Sequence, residues 1–416
     1  MTERTSAVAG AGLRDPLARL RDAAGFRHDA GLRRRLPVRS PDHDGLLDLA
    51  SNDYLGLSRD PRLVAGAINA ARTWGAGSTG SRLVSGTTAL HARLESALAH
   101  FACAPAGLVF SSGYLANLAV VSSLAAVLGC GRPSGDPGVL IVSDAANHAS
   151  LIDACRLSRA RVAVTPHGDV TSVRDALATR QEEEAIVVTD AVFSVTGDLA
   201  PLTELHRVAL AHGALLVVDE AHAFGVVGPG GRGGVYAAGL SAEPNVVRTV
   251  TLSKAIAGQG GAVLGAPAVI QTLIDTGRPF IFDTGLAPGC VGAALAALEV
   301  LAGSPELAGQ ARERARQLAG IATGLGLETT RPDAAVVSVT LGSPETALNA
   351  QRVCAEYGVG VACFRPPAVP LGRSCLRLAA RPSLTDADLQ TVGTALAAIR
   401  APARQAVACT EGGHRP

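Results

Sequence analysis

The stretch Val246-Val-Arg-Thr-Val-Thr251-Leu-Ser-Lys254 indicates the fold class, because an apolar, β-branched run leads directly into a lysine. One βα unit upstream, Ala214-Leu-Leu-Val-Val218 leads in the same way into Asp219-Glu220-Ala221-His222. Apolar runs of this kind are typical of buried parallel strands. The carboxyl ends of such strands share one edge of an open α/β sheet, where ligands bind. We therefore expect Asp219, His222 and Lys254 to lie at one ligand-binding edge.

The chemistry of these residues predicts a cofactor. A buried carboxylate is costly unless it meets a cation, and a lysine amine can condense with an aldehyde. Pyridoxal 5′-phosphate (PLP) meets both conditions, since its ring N–H can pair with Asp219 and its aldehyde can bond to Lys254. Thr251 precedes Lys254 by three residues, which places its hydroxyl within reach of a phosphate.

Composition excludes several other classes of function. The chain has 416 residues, of which 48% are hydrophobic and 18% charged, so it can form two or three domains. A net charge of +1 gives no reason to expect nucleic-acid or membrane binding. The eight cysteines form no C-x-x-C or metal-like pattern, so we expect no metal. The first residues lack the pattern of a signal peptide, and we expect a cytoplasmic protein.

Alternating strand and helix patterns predict a large, mostly parallel domain over residues 46–290. A helix pattern over Leu202–His212 is one example of the segments between the strands. The seven predicted strands are Gly107–Phe110, Val139–Val142, Arg161–Val164, Ala185–Val188, Ala214–Val218, Val246–Thr251 and Ala262–Leu264.

The rest of the chain predicts an N-terminal arm over 1–45, a smaller α+β domain over 291–405 and a disordered tail over 406–416. The arm contains a basic amphipathic segment, Leu17–Arg35, which faces either solvent or substrate. In the smaller domain we expect a long helical region from Val291 to Leu325 and strands at Ala335–Leu341 and Val359–Phe364. A last helix is predicted from near Ser383 to about Arg400.

Three further patterns add candidates at the same sheet edge. Ser111-Ser112-Gly113-Tyr114 lies between a strand and a helix, where free backbone N–H groups can hold a phosphate, although many βα turns look similar. His148 follows the strand at Val139 and can either stack on a planar ring or serve as a structural hydrogen-bond partner. Ser194 follows the next strand, where its hydroxyl can donate to a phenolate oxygen. Asp219-Glu220-Ala221-His222 also resembles a helicase acid pair, but that interpretation needs an upstream phosphate loop, which this sequence does not contain.

Taken in order, these residues resemble the α-oxoamine synthases, fold-type-I PLP enzymes that join an amino acid to an acyl thioester with loss of CO₂. The resemblance covers roughly residues 15–400. Within the family, the sequence is most similar to the biotin-pathway branch, and Phe280–Pro288 is typical of its actinobacterial members. The stretches that carry it are Leu49–Ser58, Gly75–Gly86, Ser143–Ala154, Val217–His222, Thr251–Lys254 and Phe364–Pro370.

The resemblance implies a role for each candidate. Lys254 would bond to PLP, Asp219 would pair with the ring nitrogen and His148 would stack on the ring. Ser194 and His222 would contact the ring oxygen. The phosphate would be held by the turn Ser112-Gly113-Tyr114, by Thr251 and, from the neighbouring subunit of a homodimer, by Thr284. Substrate binding is implied for His148, Arg33, Asn52, Arg365, Ala368 and Arg377.

The implied substrates are L-alanine and a pimeloyl group carried by coenzyme A or by acyl carrier protein. Two departures from the family concern substrate recognition, because Ala368 stands where a threonine is frequent and Cys375 where an arginine is frequent. Three alternatives remain open at this point. They are a sister synthase that uses glycine, serine or another acyl group, a fold-type-I aminotransferase, and a PLP-fold protein without catalysis.

Overall fold

A computed structural model describes residues 15–34, 36, 38–41, 45–130 and 138–411, with side chains described up to residue 399. Its strands are β1 (Leu47–Asp48), β2 (Ala106–Phe110), β3 (Val139–Asp144), β4 (Arg161–Thr165), β5 (Glu184–Asp190), β6 (Leu215–Asp219), β7 (Val246–Thr251), β8 (Gly261–Gly265), β9 (Val336–Gly342), β10 (Val359–Gly360), β11 (Ala362–Phe364) and β12 (Ser374–Ala379).

Helices alternate with these strands through most of the described chain. They are α1 (Ala18–Asp29), α2 (Pro61–Trp74), α3 (Ala89–Ala102), α4 (Gly113–Leu128), α5 (Ala149–Ser158), α6 (Val170–Ala178), α7 (Leu202–Ala211), α8 (Gly234–Ala237), α9 (Pro267–Thr276), α10 (Arg278–Ile281), α11 (Pro288–Gly303), α12 (Leu307–Gly324), α13 (Pro344–Glu356) and α14 (Asp386–Glu411).

The large sheet has seven strands in the order β2-β8-β7-β6-β5-β3-β4. β3, β4, β5, β6 and β7 pair in parallel, whereas β8 runs antiparallel to both β2 and β7. All seven strands were predicted from the sequence, and the predicted α/β fold with a mostly parallel seven-stranded sheet is confirmed.

Both faces of this sheet are covered by helices, which explains why its strands are apolar at nearly every position. Val187 and Val218 pack on one face with helices that include α3, α7 and α11. Their neighbours Ile186 and Val217 pack on the other face with α4, α5 and α9. Each such side chain contributes about 1.5–3 kcal/mol when fully buried. The buried central strands therefore fix the positions of the polar residues that follow them.

A second, antiparallel sheet has the order β11-β12-β9 and packs against α12, α13 and α14. β12 was not predicted from the sequence, and the predicted strand Val359–Phe364 is divided into β10 and β11. β1 pairs in parallel with β10, and Leu49 lies in the core of this sheet. Residues 47–49 therefore pack with the C-terminal part of the chain.

One predicted helical region is divided in two, and the last helix was wrong in extent. The region Val291–Leu325 forms two helices, α11 and α12, that meet at 84°. The break contains Pro305, which lacks a backbone N–H and does not fit a helix interior. The last helix extends to Glu411 rather than to Arg400. In the predicted tail, residues 412–416 lie outside the described residues.

Helix α1 forms within the predicted basic segment, and none of its residues is buried in the single chain. Its apolar side chains Leu20 and Phe26 are 62% and 72% exposed. Among the described helices, no single one is long and apolar enough to cross a membrane. The bent pair α11 and α12 together meets the requirements of length and composition for a membrane span.

Candidate active site

The carboxyl edge of the large sheet brings together the ends of β5, β6 and β7 and the beginnings of α4 and α5. Lys254 lies in the turn after β7, Asp219 ends β6, and His148 is the N-cap of α5. These three predicted catalytic residues converge on one cleft, as the topology of a parallel sheet requires.

Lys254 is the only lysine in the sequence, and its amine lies 2.8 Å from His222 Nε2. Burial lowers the pKa of Lys254 to about 8, with the positive charge of Arg377 adding to the effect and the charges of Asp219 and Asp190 opposing it. About a tenth of this amine is therefore unprotonated at pH 7, far more than for an ordinary lysine. An unprotonated amine can attack a carbonyl and can remove a proton.

His222 connects Lys254 to the opposite wall of the cleft. Its Nδ1 lies 2.6 Å from Tyr54 Oη, and Tyr54 Oη donates to Asn52 Oδ1 at 3.1 Å. Burial lowers the pKa of His222 well below its usual range and raises the pKa of Tyr54 to about 12. Because a charged Lys254 can only donate, His222 carries its proton on Nδ1 and donates it to the Tyr54 oxygen.

Asp219 is 5% exposed, and both of its carboxylate oxygens accept hydrogen bonds. The backbone N–H of Ala221 donates to Oδ1 at 2.8 Å, and the amide of Asn117 donates to Oδ2 at 2.6 Å. These donors stabilise the carboxylate and fix its direction at the end of β6. A carboxylate held in this way suits a positively charged ring nitrogen.

His148 is held by its backbone and by its ring. Its backbone N–H donates to Asp190 Oδ2 at 3.0 Å, and its Nδ1 lies 2.7 Å from Ser150 Oγ. Burial lowers the pKa of His148. The ring is therefore neutral and held in place, which suits stacking on a planar cofactor.

The predicted phosphate turn lies at the N-terminus of α4, a helix of 16 residues. Ser112 Oγ accepts a hydrogen bond from the backbone N–H of Leu115 at 3.2 Å. A Cβ on Gly113 would lie 3.1 Å from Thr251 Cβ, and a Cβ on Gly261 would lie 2.4 Å from the Gly113 nitrogen. Glycine at these positions keeps the turn close to Thr251 and leaves backbone N–H groups available for an anion.

The donor set fits PLP. One lysine amine, one held carboxylate, one stacking ring and one helix N-terminus match the aldehyde, ring nitrogen, ring face and phosphate of that cofactor. Within the described residues, no cluster of three or more metal-binding side chains is found.

Arg377 on β12 forms the wall of the cleft that faces Lys254. Its guanidinium donates to Asn52 Oδ1 at 2.7 Å and to the Ser194 carbonyl at 2.8 Å, and it lies 4.5 Å from the Phe364 ring centroid. Its Nε is buried and has no hydrogen-bond partner among the described residues. Such an unsatisfied donor is suited to an anionic ligand.

The other predicted substrate residues lie farther out. Arg365 donates to the carbonyl of Gly31, which joins the Arg365 loop to the segment that carries Arg33. Arg33 and Ala368 are exposed. Thr284 forms an isolated antiparallel bridge with Ser81.

Sequence reasoning missed three residues that the structure places at this edge, namely Tyr54, Asn117 and Asp190. Asp190 ends β5 opposite Asp219 in the parallel register, so the strand-end rule that found Asp219 could have found it. Asn117 follows the phosphate turn by one helical turn, and no sequence pattern indicates that it faces the sheet. Tyr54 lies in a loop whose path depends on the C-terminal sheet.

Comparisons with known proteins show the family to which this chain belongs. A family model for aminotransferase class I and II matches residues 44–396. An 8-amino-7-oxononanoate synthase from Mycobacterium sp. (strain JLS) is 58% identical over 390 residues, which are 94% of this chain and 98% of the relative.

Solved structures show the same fold. A serine palmitoyltransferase with PLP has a TM-score of 0.84 and 31% identity, over 93% of this chain and 98% of that chain. An 8-amino-7-oxononanoate synthase from Francisella tularensis has a TM-score of 0.73 and 26% identity, over 88% of this chain and 99% of that chain. The chain belongs to the aminotransferase class I and II family and, within it, to the PLP-dependent 8-amino-7-oxononanoate synthases.

Proposed function

We propose that this chain condenses L-alanine with a pimeloyl thioester, with loss of CO₂, to give 8-amino-7-oxononanoate and a free thiol. The observation that carries the proposal is a single lysine amine with a pKa of about 8, set between a held carboxylate and an arginine with an unsatisfied donor. The identity of 58% to a named synthase over 94% of the chain supports the substrates.

The residues proposed to hold PLP are those at the sheet edge. Lys254 would bond to it, Asp219 would pair with its ring nitrogen and His148 would lie against its ring face. Ser194 and His222 would contact the ring oxygen, and the turn Ser112-Gly113-Tyr114 with Thr251 would hold the phosphate. When bound, PLP supplies a ring that stabilises negative charge at the amino-acid Cα.

Lys254 is proposed as the base that removes the Cα proton of L-alanine. An amine with a pKa of about 8 accepts a proton readily yet is partly unprotonated at neutral pH. His222 lies 2.8 Å from this amine and keeps it directed into the cleft. After CO₂ is lost, the same amine is proposed to return a proton to that carbon.

Arg377 is proposed to bind the carboxylate of the amino acid. Its Nε is buried without a partner among the described residues, and Asn52 orients its guanidinium at 2.7 Å. Arg365, which donates to the Gly31 carbonyl, and Arg33, two residues after Gly31, are proposed to serve the pimeloyl thioester at the outer part of the cleft.

The two departures from the family lie in different places, with Cys375 buried on β12 near Arg377 and Ala368 in the outer region. Cys375 stands opposite Phe364 in the antiparallel register of β11 and β12, and burial raises the pKa of its thiol, so it is neutral. Arg377 therefore has no neighbouring cation at position 375. Ala368 is exposed and offers no hydroxyl to a substrate. Neither change touches the residues proposed for PLP.

A homodimer is proposed because apolar side chains surround the bridge between Ser81 and Thr284. Leu83 is 52%, Val84 86% and Phe282 70% exposed in the single chain. An exposed apolar patch of this kind favours an interface with another protein surface. In the dimer Thr284 would reach the phosphate site of the partner. Light scattering of the purified protein tests this, since a monomeric mass would contradict it.

Thiol release tests the proposed reaction. The PLP-loaded protein is incubated with pimeloyl-coenzyme A and, in parallel, with L-alanine, glycine or L-serine. Release with L-alanine, together with a product of the expected mass, is the predicted result. Release only with glycine or L-serine would assign a sister activity instead. With no release, the same experiment with pimeloyl-acyl carrier protein separates the two carriers.

A further inference from the structure

We propose that Asn117 is a positioning residue that fixes which nitrogen of the His148 ring carries the proton, acting through Ser150, and that orients Asp219 with the same amide. The inference rests on the proposed function, in which His148 and Asp219 both contact the cofactor. Its evidence is a buried chain of hydrogen bonds that joins these two residues.

One side-chain amide stands at the centre of this chain. Asn117 Nδ2 lies 2.6 Å from Asp219 Oδ2 and 2.8 Å from Ser150 Oγ. Asn117 Oδ1 lies 2.6 Å from Thr249 Oγ1. Ser150 Oγ in turn lies 2.7 Å from His148 Nδ1. These hydrogen bonds connect α4, β6, β7 and α5.

The direction of every hydrogen bond in the chain follows from elementary chemistry. A carboxylate can only accept, so the amide of Asn117 must turn its nitrogen toward Asp219. That nitrogen has a second N–H, which donates to Ser150 Oγ. The amide oxygen accepts from the hydroxyl of Thr249. The backbone N–H of Ser150 donates to His148 Nδ1 at 3.3 Å, which makes that nitrogen an acceptor, so the Ser150 hydroxyl accepts from Asn117 and donates its own proton to His148 Nδ1.

The ring of His148 then has one arrangement that satisfies the chain. Its Nδ1 is an acceptor, and the backbone N–H of Ser150 also donates to it at 3.3 Å. The proton of the neutral ring therefore lies on Nε2. This agrees with the pKa of His148, which burial lowers.

Burial makes this arrangement rigid. Asn117, Ser150, Thr249 and Asp219 are between 0% and 5% exposed, so water does not compete for their hydrogen bonds. In such surroundings a misdirected donor would leave a buried group unsatisfied, which is unfavourable. Reversal of the chain is therefore disfavoured, and the tautomer of His148 is coupled to the carboxylate of Asp219.

The charged groups that face His148 do not select its tautomer in place of these hydrogen bonds. Asp219 and Asp153 raise its pKa and Lys254 lowers it, and these charges act at a distance without selecting one ring nitrogen. Asp190 contacts only the backbone N–H of His148. Selection of the tautomer is left to the donors at Nδ1.

The experiment reads the tautomer directly. Full-length protein loaded with PLP and labelled with ¹⁵N-histidine is studied by NMR across pH, and His148 is assigned among the ten histidines by the signal that is lost in His148→Gln. We expect the wild-type ring to show an Nε2–H tautomer. In Ser150→Ala we expect a mixture of tautomers and an upward pKa shift of about half to one unit, because one donor to the neutral ring is lost.

Two further variants keep the test sharp. Ser122→Ala removes a hydroxyl that bonds to the backbone of the same helix, at Leu118, and we expect it to leave His148 unchanged. Asn117→Ala should shift His148 in the same direction as Ser150→Ala, and the double variant should shift it no further. If Asn117→Ala does not fold, the comparison of Ser150→Ala with Ser122→Ala tests the inference.

Three results would overturn the inference. They are an Nδ1–H tautomer in the wild type, a His148 signal that Ser150→Ala leaves unchanged, and an equal shift in Ser122→Ala. Because the NMR signal does not depend on turnover, failure of thiol release with both acyl carriers, together with an intact tautomer pattern, would refute the proposed function and leave this inference standing.

Discussion

The strand edge of the large sheet and the C-terminal wall of the cleft hold their charged groups in different ways. At the strand edge, Asp219 and Lys254 follow buried apolar strands, and the sheet register sets their positions. At the wall, Arg377 is placed by side-chain and carbonyl contacts to Asn52 and Ser194, which are distant in sequence. The edge therefore suits groups that every PLP reaction needs, and the wall suits groups that choose the substrate.

If this division is right, damage to the edge should abolish chemistry and damage to the wall should change substrate binding. Removal of the lysine gives the largest expected effect. We expect Lys254→Ala to lower turnover by about 10³–10⁴-fold, because both the base and the cofactor bond are lost. Lys254→Arg serves as the control, since it keeps a positive charge but supplies no nucleophilic amine, and it should be equally inactive. Turnover within tenfold of the wild type in either variant would refute the role of the edge.

The carboxylate at the same edge should come next. We expect Asp219→Asn to lower turnover by about 10²–10³-fold, because a neutral amide does not hold a charged ring nitrogen. Circular dichroism should show an unchanged fold, since the substitution preserves shape. Asp175→Asn, an exposed change of the same kind on α6, is the matched control. Equal turnover of the two variants would argue against the assigned role of Asp219.

At the wall, the effect should fall on KM. We expect Arg377→Gln to raise the KM for L-alanine by about 10–100-fold and to change kcat less, because a hydrogen bond to a charged group contributes about 1.5–3 kcal/mol. Arg373→Gln removes an exposed arginine that pairs with Glu328, and it should leave KM unchanged. A decrease confined to kcat would show that Arg377 acts in the chemical step, as the strand-edge residues do, and not in substrate binding.

The pH dependence of cofactor loading sharpens the description of the edge. Burial depresses the pKa of Lys254 to about 8, so the reactive amine increases as pH rises and levels off above that value. We expect the rate of PLP uptake by the cofactor-free chain to rise about tenfold from pH 6 to 7 and to flatten above pH 8. Stopped-flow absorbance measures this rate. A plateau reached only near pH 10 would show that the amine has its ordinary pKa.

The same contrast explains how much could be predicted from the sequence. The seven strands, Asp219, Lys254, His148 and the phosphate turn follow from apolar runs and strand ends, which are local signals. β12 was missed because Arg377 and Ser374 interrupt its apolar pattern, and both side chains are buried by contacts from elsewhere in the chain. Asn117 and Tyr54 were missed for the same physical reason, since their partners Asp219 and His222 lie 102 and 168 residues away in sequence.

The roles of the outer residues stay predictions. Arg33 is exposed, and Thr284 lies at a surface whose partner is proposed. Neither role follows from the single chain, because each needs a second molecule. The role of Arg33 needs the acyl thioester, and the role of Thr284 needs the other subunit.

Covalent attachment of PLP tests the central claim most directly. The loaded protein is reduced with borohydride and its intact mass is measured beside that of Lys254→Ala. Since Lys254 is the only lysine in the sequence, one added cofactor mass in the wild type and none in the variant is the predicted result, with a peptide map placing the modification at Lys254 rather than at the N-terminal amine. An unmodified wild-type chain, or a variant that gains the same mass, would contradict the assignment of this edge as the PLP site.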